Sequence, residues 1–246
     1  MSSPLDARDT DADWRELGAS QPYWGVLSHP DFRTETITPE GIEAFYASGR
    51  QYISEIVSTL RGLTGEAPQG PALAFGCGVG RLAEAMAEYA PTTGLDISPG
   101  MLAVARERGG KATYTDTLPP GPFGWINSFI VFQHIMPDRG MDILADLLAR
   151  LAPGGMTSIQ LTAWRDDRHK RPVITGWRRL KADRDYRKWV KSLPTGQIWM
   201  YDYDLSKVLR LLNLAGIQEM KLVSTDHDGH HGVIILGRKT AQPDQA

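Results

Sequence analysis

The chain has little of three things: cysteine, net charge and long hydrophobic stretches. Its 246 residues include 1 cysteine and carry a formal net charge of −2. A single cysteine cannot form an internal disulfide, which is typical of a reducing compartment. No hydrophobic stretch approaches the roughly 18 residues of a membrane-spanning helix, and the acidic N-terminus lacks the apolar core of a signal peptide. We therefore expect a cytoplasmic protein that is not inserted in a membrane.

The near balance of charges also limits the partners. The 27 basic and 29 acidic residues give the whole chain no attraction towards nucleic acid or an anionic membrane surface. The apolar fraction of 41% is ordinary for a globular protein and sufficient for a sizeable core. We therefore expect one domain, 1–246, that does not bind nucleic acid.

A glycine-rich stretch, residues 76–80, is the clearest local signal, and we call it the glycine loop. An apolar run over 72–75 precedes Gly76, Gly78 and Gly80, and apolar residues then recur at helical spacing. This pattern predicts a strand, a tight loop and a helix that together hold a nucleotide-like ligand, because glycines let a ligand approach the backbone closely. Arg81 stands where the dinucleotide motif has its third glycine, so NAD is the second hypothesis.

Strand-like and helix-like patterns alternate along the rest of the chain. Thr38-Pro39 and Ser98-Pro99 each predict a helix start, because each pair supplies an N-cap and a first-turn proline. The alternation predicts an α/β fold, a mostly parallel sheet with helices on both faces. Asp228-Gly229 predicts the turn of a C-terminal antiparallel hairpin. The predicted strands are 72–75, 92–97, 112–115, 126–132, 156–161, 217–224 and 233–236.

The N-terminal part lacks this regular alternation. Residues 1–13 are polar and without periodicity, which is typical of a mobile tail. Residues 14–32 mix large aromatics with Gly, Pro and Ser, which favours a loop wrapped over the core. We therefore divide the domain into a tail and helical cap (1–64), a cofactor-binding core (65–163 and 202–246) and an insertion (164–201).

Five markers occur in order along the core: Gly76-x-Gly78-x-Gly80, Gly94-Leu95-Asp96-Ile97-Ser98, Asp116, Phe132-Gln133-His134-Ile135 and Leu151-Ala152-Pro153-Gly154-Gly155. Together they resemble the class I S-adenosylmethionine-dependent methyltransferases of the small-molecule type. The likeness covers roughly residues 70–165 well and 202–238 more loosely. It implies a Rossmann-like, seven-stranded, mostly parallel sheet with a C-terminal antiparallel hairpin and an N-terminal helical cap. It also implies S-adenosyl-L-methionine (SAM) as the cofactor, bound across the carboxyl ends of the first strands.

The resemblance implies roles for two aspartates in particular. Asp96 would accept hydrogen bonds from both ribose hydroxyls, and Asp116 would accept from the adenine amino group, with Thr117 or Leu118 beside the ring. The alternatives are a helix-start carboxylate and a simple turn residue. We expect Cys77 to fill space rather than act as a nucleophile. The expected cofactor-binding set is Phe75, Gly76, Cys77, Gly78, Gly80, Arg81, Asp96, Ile97, Met101, Asp116, Thr117 and Phe132.

Ala74 departs from the family pattern. It stands two residues before the first glycine, where the family usually has an acidic residue. We expect the missing carboxylate to weaken the organisation of the loop and the contacts with the methionine end of the cofactor. Drift with compensation elsewhere, an engineered change or a lost methylation activity would each explain it. A SAM-binding regulatory protein that does not methylate is therefore an alternative, beside an NAD-dependent oxidoreductase.

The expected reaction is methyl transfer to an oxygen or nitrogen of a small molecule. A sulfonium methyl group is already activated, so the protein mainly has to align the reactants for in-line displacement and exclude water. If the acceptor must lose a proton, His134 at the end of the fourth predicted strand is the candidate base. From their position in the cap, we expect the acceptor side to be lined by Tyr23, Trp24, Tyr46 and Arg50.

The insertion 164–201 is rich in Arg and Lys, and two interpretations fit it. The basic side chains suit an anionic acceptor, because arginine offers paired donors to such groups. Acidic neighbours such as Asp166 and Asp183 suit a solvated, partly self-paired helical lid equally well. The run 226–231, Asp-His-Asp-Gly-His-His, has the composition of a metal site, but we prefer a hairpin turn and expect no metal.

Overall fold

A seven-stranded sheet runs through the computed structural model, which describes residues 8–169 and 177–240. The strands are β1 (Ala72–Phe75), β2 (Thr92–Leu95), β3 (Thr113–Thr115), β4 (Phe123–Ser128), β5 (Leu151–Arg165), β6 (Ile217–Asp226) and β7 (His230–Lys239). Their order across the sheet is β3-β2-β1-β4-β5-β7-β6. Neighbours from β3 to β5 pair in parallel, and β7 pairs antiparallel with both β5 and β6. The predicted fold class and the C-terminal hairpin are confirmed.

Helices cover both faces of the sheet. Successive side chains of β1 point to opposite faces, so they enter two separate cores. Ala72 and Ala74 face a core shared with α3 and α4, whereas Leu73 faces a core shared with α6 and α8. None of the helices in the described ranges is long and apolar enough to cross a membrane. The helices are α1 (Thr10–Ser20), α2 (Pro22–Val26), α3 (Pro39–Thr64), α4 (Arg81–Met86), α5 (Pro99–Arg108), α6 (Pro137–Ala149), α7 (Trp177–Ser192) and α8 (Leu205–Leu214), with short 3₁₀ turns at Pro30–Phe32, Phe132–His134 and Asp167–His169.

The long helix α3 lies directly against the end of the glycine loop. Thr38 caps its first turn, because the hydroxyl accepts the backbone N–H of Gly41 at 3.1 Å, as predicted. At Gly49 a β-carbon would lie 2.5 Å from the carbonyl oxygen of Arg81. Glycine is therefore required there for the backbone of α3 to approach the glycine loop so closely.

The prediction of a tail to residue 13 and a loop over 14–32 is wrong for the described residues, which begin at residue 8. Helix α1 begins at Thr10. Asp9 is its N-cap, because the Asp9 side chain accepts the backbone N–H of Ala12 at 3.1 Å. The helix buries Leu17 and packs Gly18 against Ser98 and Met101 at the start of α5, so tertiary packing stabilises it although its sequence has weak amphipathic periodicity.

Several strand boundaries and the insertion also differ from the predictions. Strand β4 ends at Ser128 rather than 132, because the chain turns out of the sheet at Ile130, whose φ is 58°. Strand β5 is longer than the predicted 156–161 and includes Pro153-Gly154-Gly155. Helix α7 occupies part of the insertion, while residues 170–176 and the side chains of 177–180 lie outside the described part of the chain. The division into cap, core and insertion stays a prediction.

Candidate cofactor site

A cavity of about 280 Å³ lies at the carboxyl ends of the first strands, and we call it the large cavity. Its position is where the strand order reverses between β1 and β4, which is where open α/β sheets usually bind ligands. Nine residues predicted from the sequence to lie at the site contribute to its wall. They are Phe75, Gly76, Gly78, Asp96, Ile97, Met101, Asp116, Leu118 and His134.

Asp96 ties the end of β2 to the glycine loop. One carboxylate oxygen accepts the backbone N–H of Gly78 at 2.8 Å, and the other accepts that of Ser98 at 2.9 Å. Burial raises the pKa of the Asp96 carboxyl, and the backbone N–H groups of Ser98, Gly78 and Ile97 oppose that rise. Each carboxylate oxygen keeps a lone pair beyond these bonds, so the group can accept from a ligand in the cavity as well.

The glycine loop is held by hydrogen bonds from both sides. The backbone N–H groups of Gly76 and Cys77 both donate to the Leu95 carbonyl, at 2.8 and 3.0 Å. From α3, the buried Tyr46 hydroxyl donates to the Val79 carbonyl at 2.7 Å. Tyr46 therefore supports the loop from behind. Burial also raises the pKa of the Cys77 thiol, which keeps it protonated and fits a space-filling role.

The other predicted positions lie outside the wall of the large cavity. The Phe132 ring is buried between Phe75 and Tyr203, with centroid distances of 5.6 and 6.1 Å. Thr117 is exposed, and its hydroxyl donates to the Asp116 carboxylate at 3.2 Å. The predicted residues outside this wall are Cys77, Gly80, Arg81, Thr117, Phe132, Tyr23, Trp24, Tyr46 and Arg50. Their roles towards a ligand stay predictions.

Helix α1 supplies a part of the wall that the sequence patterns did not indicate. Thr10, Asp11 and Trp14 all line the large cavity. Asp11 forms a two-bond ion pair with Arg139 of α6, at 2.7 and 2.9 Å, which joins the helix to the opposite wall. In the sequence, the large aromatic side chain of Trp14 was the only signal that this segment could line a cavity. Nothing in the local sequence shows which distant element α1 contacts.

His134 lies in the wall with both ring nitrogens already bonded. Nδ1 donates to the Trp199 carbonyl at 2.8 Å, since a carbonyl can only accept. Nε2 lies 3.3 Å from the amide nitrogen of Gln133, whose amide oxygen accepts from Thr162. Burial lowers the pKa of His134 to about 4, so the imidazole is neutral at pH 7 and only weakly basic.

The polar residues of the C-terminal hairpin lie at its turn. His227 and His230 exchange two backbone hydrogen bonds, and Asp228 has a φ of 53°. The predicted hairpin turn is therefore present. Within 8–169 and 177–240, no group of three or more His, Cys, Asp or Glu residues has a geometry that could hold a metal ion.

Comparison with known proteins supports the sequence resemblance. Residues 72–155 match the family model described as a methyltransferase domain. A stretch of 115 residues is 38% identical to an uncharacterized protein of Synechococcus sp., covering 39% of this chain and 27% of that protein. The matched stretch thus spans about a quarter of the length of this relative.

Solved methyltransferase structures share the fold at low sequence identity. Magnesium protoporphyrin IX methyltransferase from Synechocystis, solved with bound SAM, superposes with a TM-score of 0.61 at 14% identity, covering 95% of this chain and 98% of that one. An amino pentose methyltransferase from Micromonospora echinaspora, also with SAM, gives 0.56 at 17% identity over 83% and 98% of the two chains. An N-methyltransferase from Bradyrhizobium japonicum gives 0.54 at 15% identity over 94% and 99%.

The strand order and these neighbours define the class I methyltransferase fold. Within that fold, residues 72–155 match the methyltransferase domain model, so the similarity to this family extends over that part of the chain. The resemblance predicted from the five ordered sequence markers is confirmed for the fold and, by the family model, for residues 72–155.

Proposed function

We propose that the chain transfers a methyl group from SAM to an oxygen or nitrogen of a small molecule, in the cytoplasm. The observation that carries the proposal is the Asp96 carboxylate, which is bonded to the glycine loop and lines the large cavity with lone pairs free. When bound, SAM supplies a methyl group on a sulfonium that a nucleophile can displace in line.

The residues of the large cavity fit such a ligand. Asp96 would hold the ribose hydroxyls, because a buried carboxylate is a strong acceptor for paired O–H donors. Asp116 and Leu118 would hold the adenine at the far side, one by a hydrogen bond and the other by apolar contact. Gly76 and Gly78 have φ values of 68° and 52°, which a side chain would strain, and both contribute backbone to the wall of the large cavity.

On the acceptor side, the wall is formed by α1 and by the segment after β4. Trp14 packs against His134 with a centroid distance of 4.8 Å, and Ile135 and Arg139 continue the wall. Because both His134 nitrogens are bonded within the protein, we propose that this wall aligns the acceptor and excludes water. His134 stays the candidate base for an acceptor with an acidic proton. To act as a base, its Nε2 has to exchange the weak hydrogen bond to Gln133 for one to the acceptor.

The test has a binding step and a turnover step. Calorimetry is performed on the full chain with S-adenosylhomocysteine (SAH) and, separately, with NAD. Methyl transfer from methyl-labelled SAM is then measured over a panel of small hydroxyl and amine acceptors. We expect SAH to bind, NAD not to bind, and at least one acceptor to gain the label. Binding of NAD without SAH would instead support an oxidoreductase, and SAH binding without any turnover would support a SAM-binding protein that does not methylate.

A further inference from the structure

Helix α7 is held at its C-terminal end and lies largely open to solvent. Among its described side chains, 181–192, only Val190 is buried. The Arg8 guanidinium holds the C-terminal end, because it donates to the carbonyls of Val190 and Leu193 at 3.2 and 3.0 Å and pairs with Asp13 of α1. The helix is therefore fixed to α1 while its outer side stays exposed.

Four basic side chains follow one side of α7, and we call them the basic stripe. They are Lys181, Arg184, Lys188 and Lys191, and all four are exposed. At about 100° of rotation per residue they lie within about 80° of arc, and at about 1.5 Å of rise per residue they span about 15 Å. Val190 lies on the far side of the helix, where it is buried. The spacing therefore produces one straight, positively charged face.

The charge of the basic stripe is almost unpaired within the described part of the chain. Lys181, Lys188 and Lys191 form no ion pair with the described residues. The Arg184 Nε lies 3.8 Å from a carboxylate oxygen of Asp185, and an ion pair this exposed contributes little. The whole chain has a net charge of −2, but charges farther away than the Debye length of about 8 Å are largely screened at physiological salt. A partner that touches the basic stripe therefore meets a local positive charge.

A flat anionic surface is the partner that this geometry favours. The basic stripe lies on a convex helix, whereas proteins that bind a nucleic-acid strand follow its backbone with a charged groove. Three of the four cations are lysines, which are depleted at protein–protein interfaces. Clusters of Lys and Arg are attracted to the anionic lipids of a membrane. Trp189 is 51% exposed on the flank of the stripe, and tryptophan is enriched at membrane–water interfaces.

We propose that the basic stripe of α7 docks the protein on a membrane surface that contains anionic lipids. The attachment is electrostatic and lies at the lipid headgroups, because the stripe itself is polar. Since Arg8 connects α7 to α1, the docking surface adjoins a helix that lines the large cavity. The inference does not depend on the proposed methyl transfer, because no residue of the basic stripe lies in the wall of that cavity.

The test is cosedimentation of the full chain with two kinds of vesicle, phosphatidylcholine alone and phosphatidylcholine mixed with an equal amount of phosphatidylserine. At low salt we expect the mixed vesicles to bind at least about tenfold more tightly, because each Lys or Arg near an anionic surface adds to the attraction. At about 1 M salt, where the Debye length is about 3 Å, the difference should disappear. Absence of binding, equal binding to both vesicles, or binding insensitive to salt would overturn the inference.

Two double variants with the same loss of charge connect the binding to the basic stripe. Lys188→Gln combined with Lys191→Gln should weaken binding to the mixed vesicles at least about tenfold. Lys207→Gln combined with Lys221→Gln removes two exposed lysines from α8 and β6 and should change the affinity by less than about threefold. All four lysines are exposed, so both variants should fold, which circular dichroism checks. Equal effects of the two double variants would assign the binding to net charge and contradict the inference.

A nucleic acid is the alternative partner, and poly(U) is the probe for it. Fluorescence anisotropy of labelled poly(U) is measured with the wild type and with the stripe double variant at the same low salt. Binding of poly(U) that is lost in the stripe variant, together with no binding to the mixed vesicles, would assign the basic stripe to nucleic acid and overturn the membrane inference.

Discussion

The Asp96 carboxylate accepts the backbone N–H of Gly78 at 2.8 Å, across the gap between the end of β2 and the glycine loop. One side chain thus fixes the loop and lines the large cavity. The loop also receives the Tyr46 hydroxyl bond at Val79, so it has two side-chain supports that do not depend on position 74. These contacts give a physical reason why the loop can be ordered with Ala74 in β1.

Asp96→Asn should reduce the affinity for SAH by more than about tenfold. The amide has one acceptor oxygen instead of two, and its NH₂ group would face a backbone N–H of Gly78 or Ser98. Calorimetry on the folded variant measures the effect. Asp142→Asn removes an exposed carboxylate on α6 and should leave the affinity unchanged. Equal affinity of Asp96→Asn and the wild type would remove the basis of the proposed cofactor site.

The attachment of α1 can be tested with two aspartates of that helix. Asp13 is fully buried, pairs with Arg8 and accepts the backbone N–H of Gln197 at 3.1 Å. Asp13→Asn should lower the free energy of unfolding by about 3 kcal/mol, because it removes the buried charge that pairs with the Arg8 guanidinium. Asp11→Asn breaks the more exposed pair with Arg139 and should cost less than about 1 kcal/mol. Urea unfolding compares the two, and equal effects would contradict the role of burial.

Two glycines of α3 should respond to alanine in opposite directions. A β-carbon at Gly62 would point into open space, so Gly62→Ala should raise the free energy of unfolding by about 0.5–1 kcal/mol through helix propensity. Gly49→Ala forces a β-carbon against the Arg81 carbonyl and should lower it by about 1–3 kcal/mol. Thermal or urea unfolding of both variants is sufficient. A stabilising Gly49→Ala would show that α3 does not approach the loop this closely.

Stability should fall in mild acid because of His134. Its pKa is lowered by burial to about 4 from an ordinary 6.5. Because the pKa is lower in the folded state, the unfolded chain takes up the proton first as the pH falls. The contribution of the neutral His134 side chain to the free energy of unfolding is therefore complete above pH 6.5 and is lost as the pH falls towards 4. At about pH 5 the loss is about 2 kcal/mol relative to neutral pH.

The measurement is urea unfolding of the wild type and of His134→Asn near pH 7.5 and near pH 5. The stability lost between the two pH values should be about 2 kcal/mol smaller in the variant. Burial also lowers the pKa of His227 and His230, but both proteins contain those residues and their effect cancels in the comparison. His29→Asn, at an exposed histidine, should behave as the wild type.

Elements with a strong local signal were predictable. The N-caps at Thr38 and Ser98 and the turn at Asp228 depend on residues within four positions of one another, so their sequence is sufficient to indicate them. Asp96 was predictable for a related reason, since a residue that ends a strand beside the glycine loop must lie at the same edge of a parallel sheet.

The sequence by itself determined the alternation of strands and helices, the glycine loop and the aspartate beside it, because backbone conformation and hydrophobic periodicity are properties of neighbouring residues. Only the tertiary structure decided that α1 closes the large cavity, that His134 is bonded at both nitrogens, and that Arg81 is buried with no acidic partner among the described residues. Burial and pairing depend on residues far apart in the chain: Arg81 meets Ser48 of α3, and His134 meets the Trp199 carbonyl.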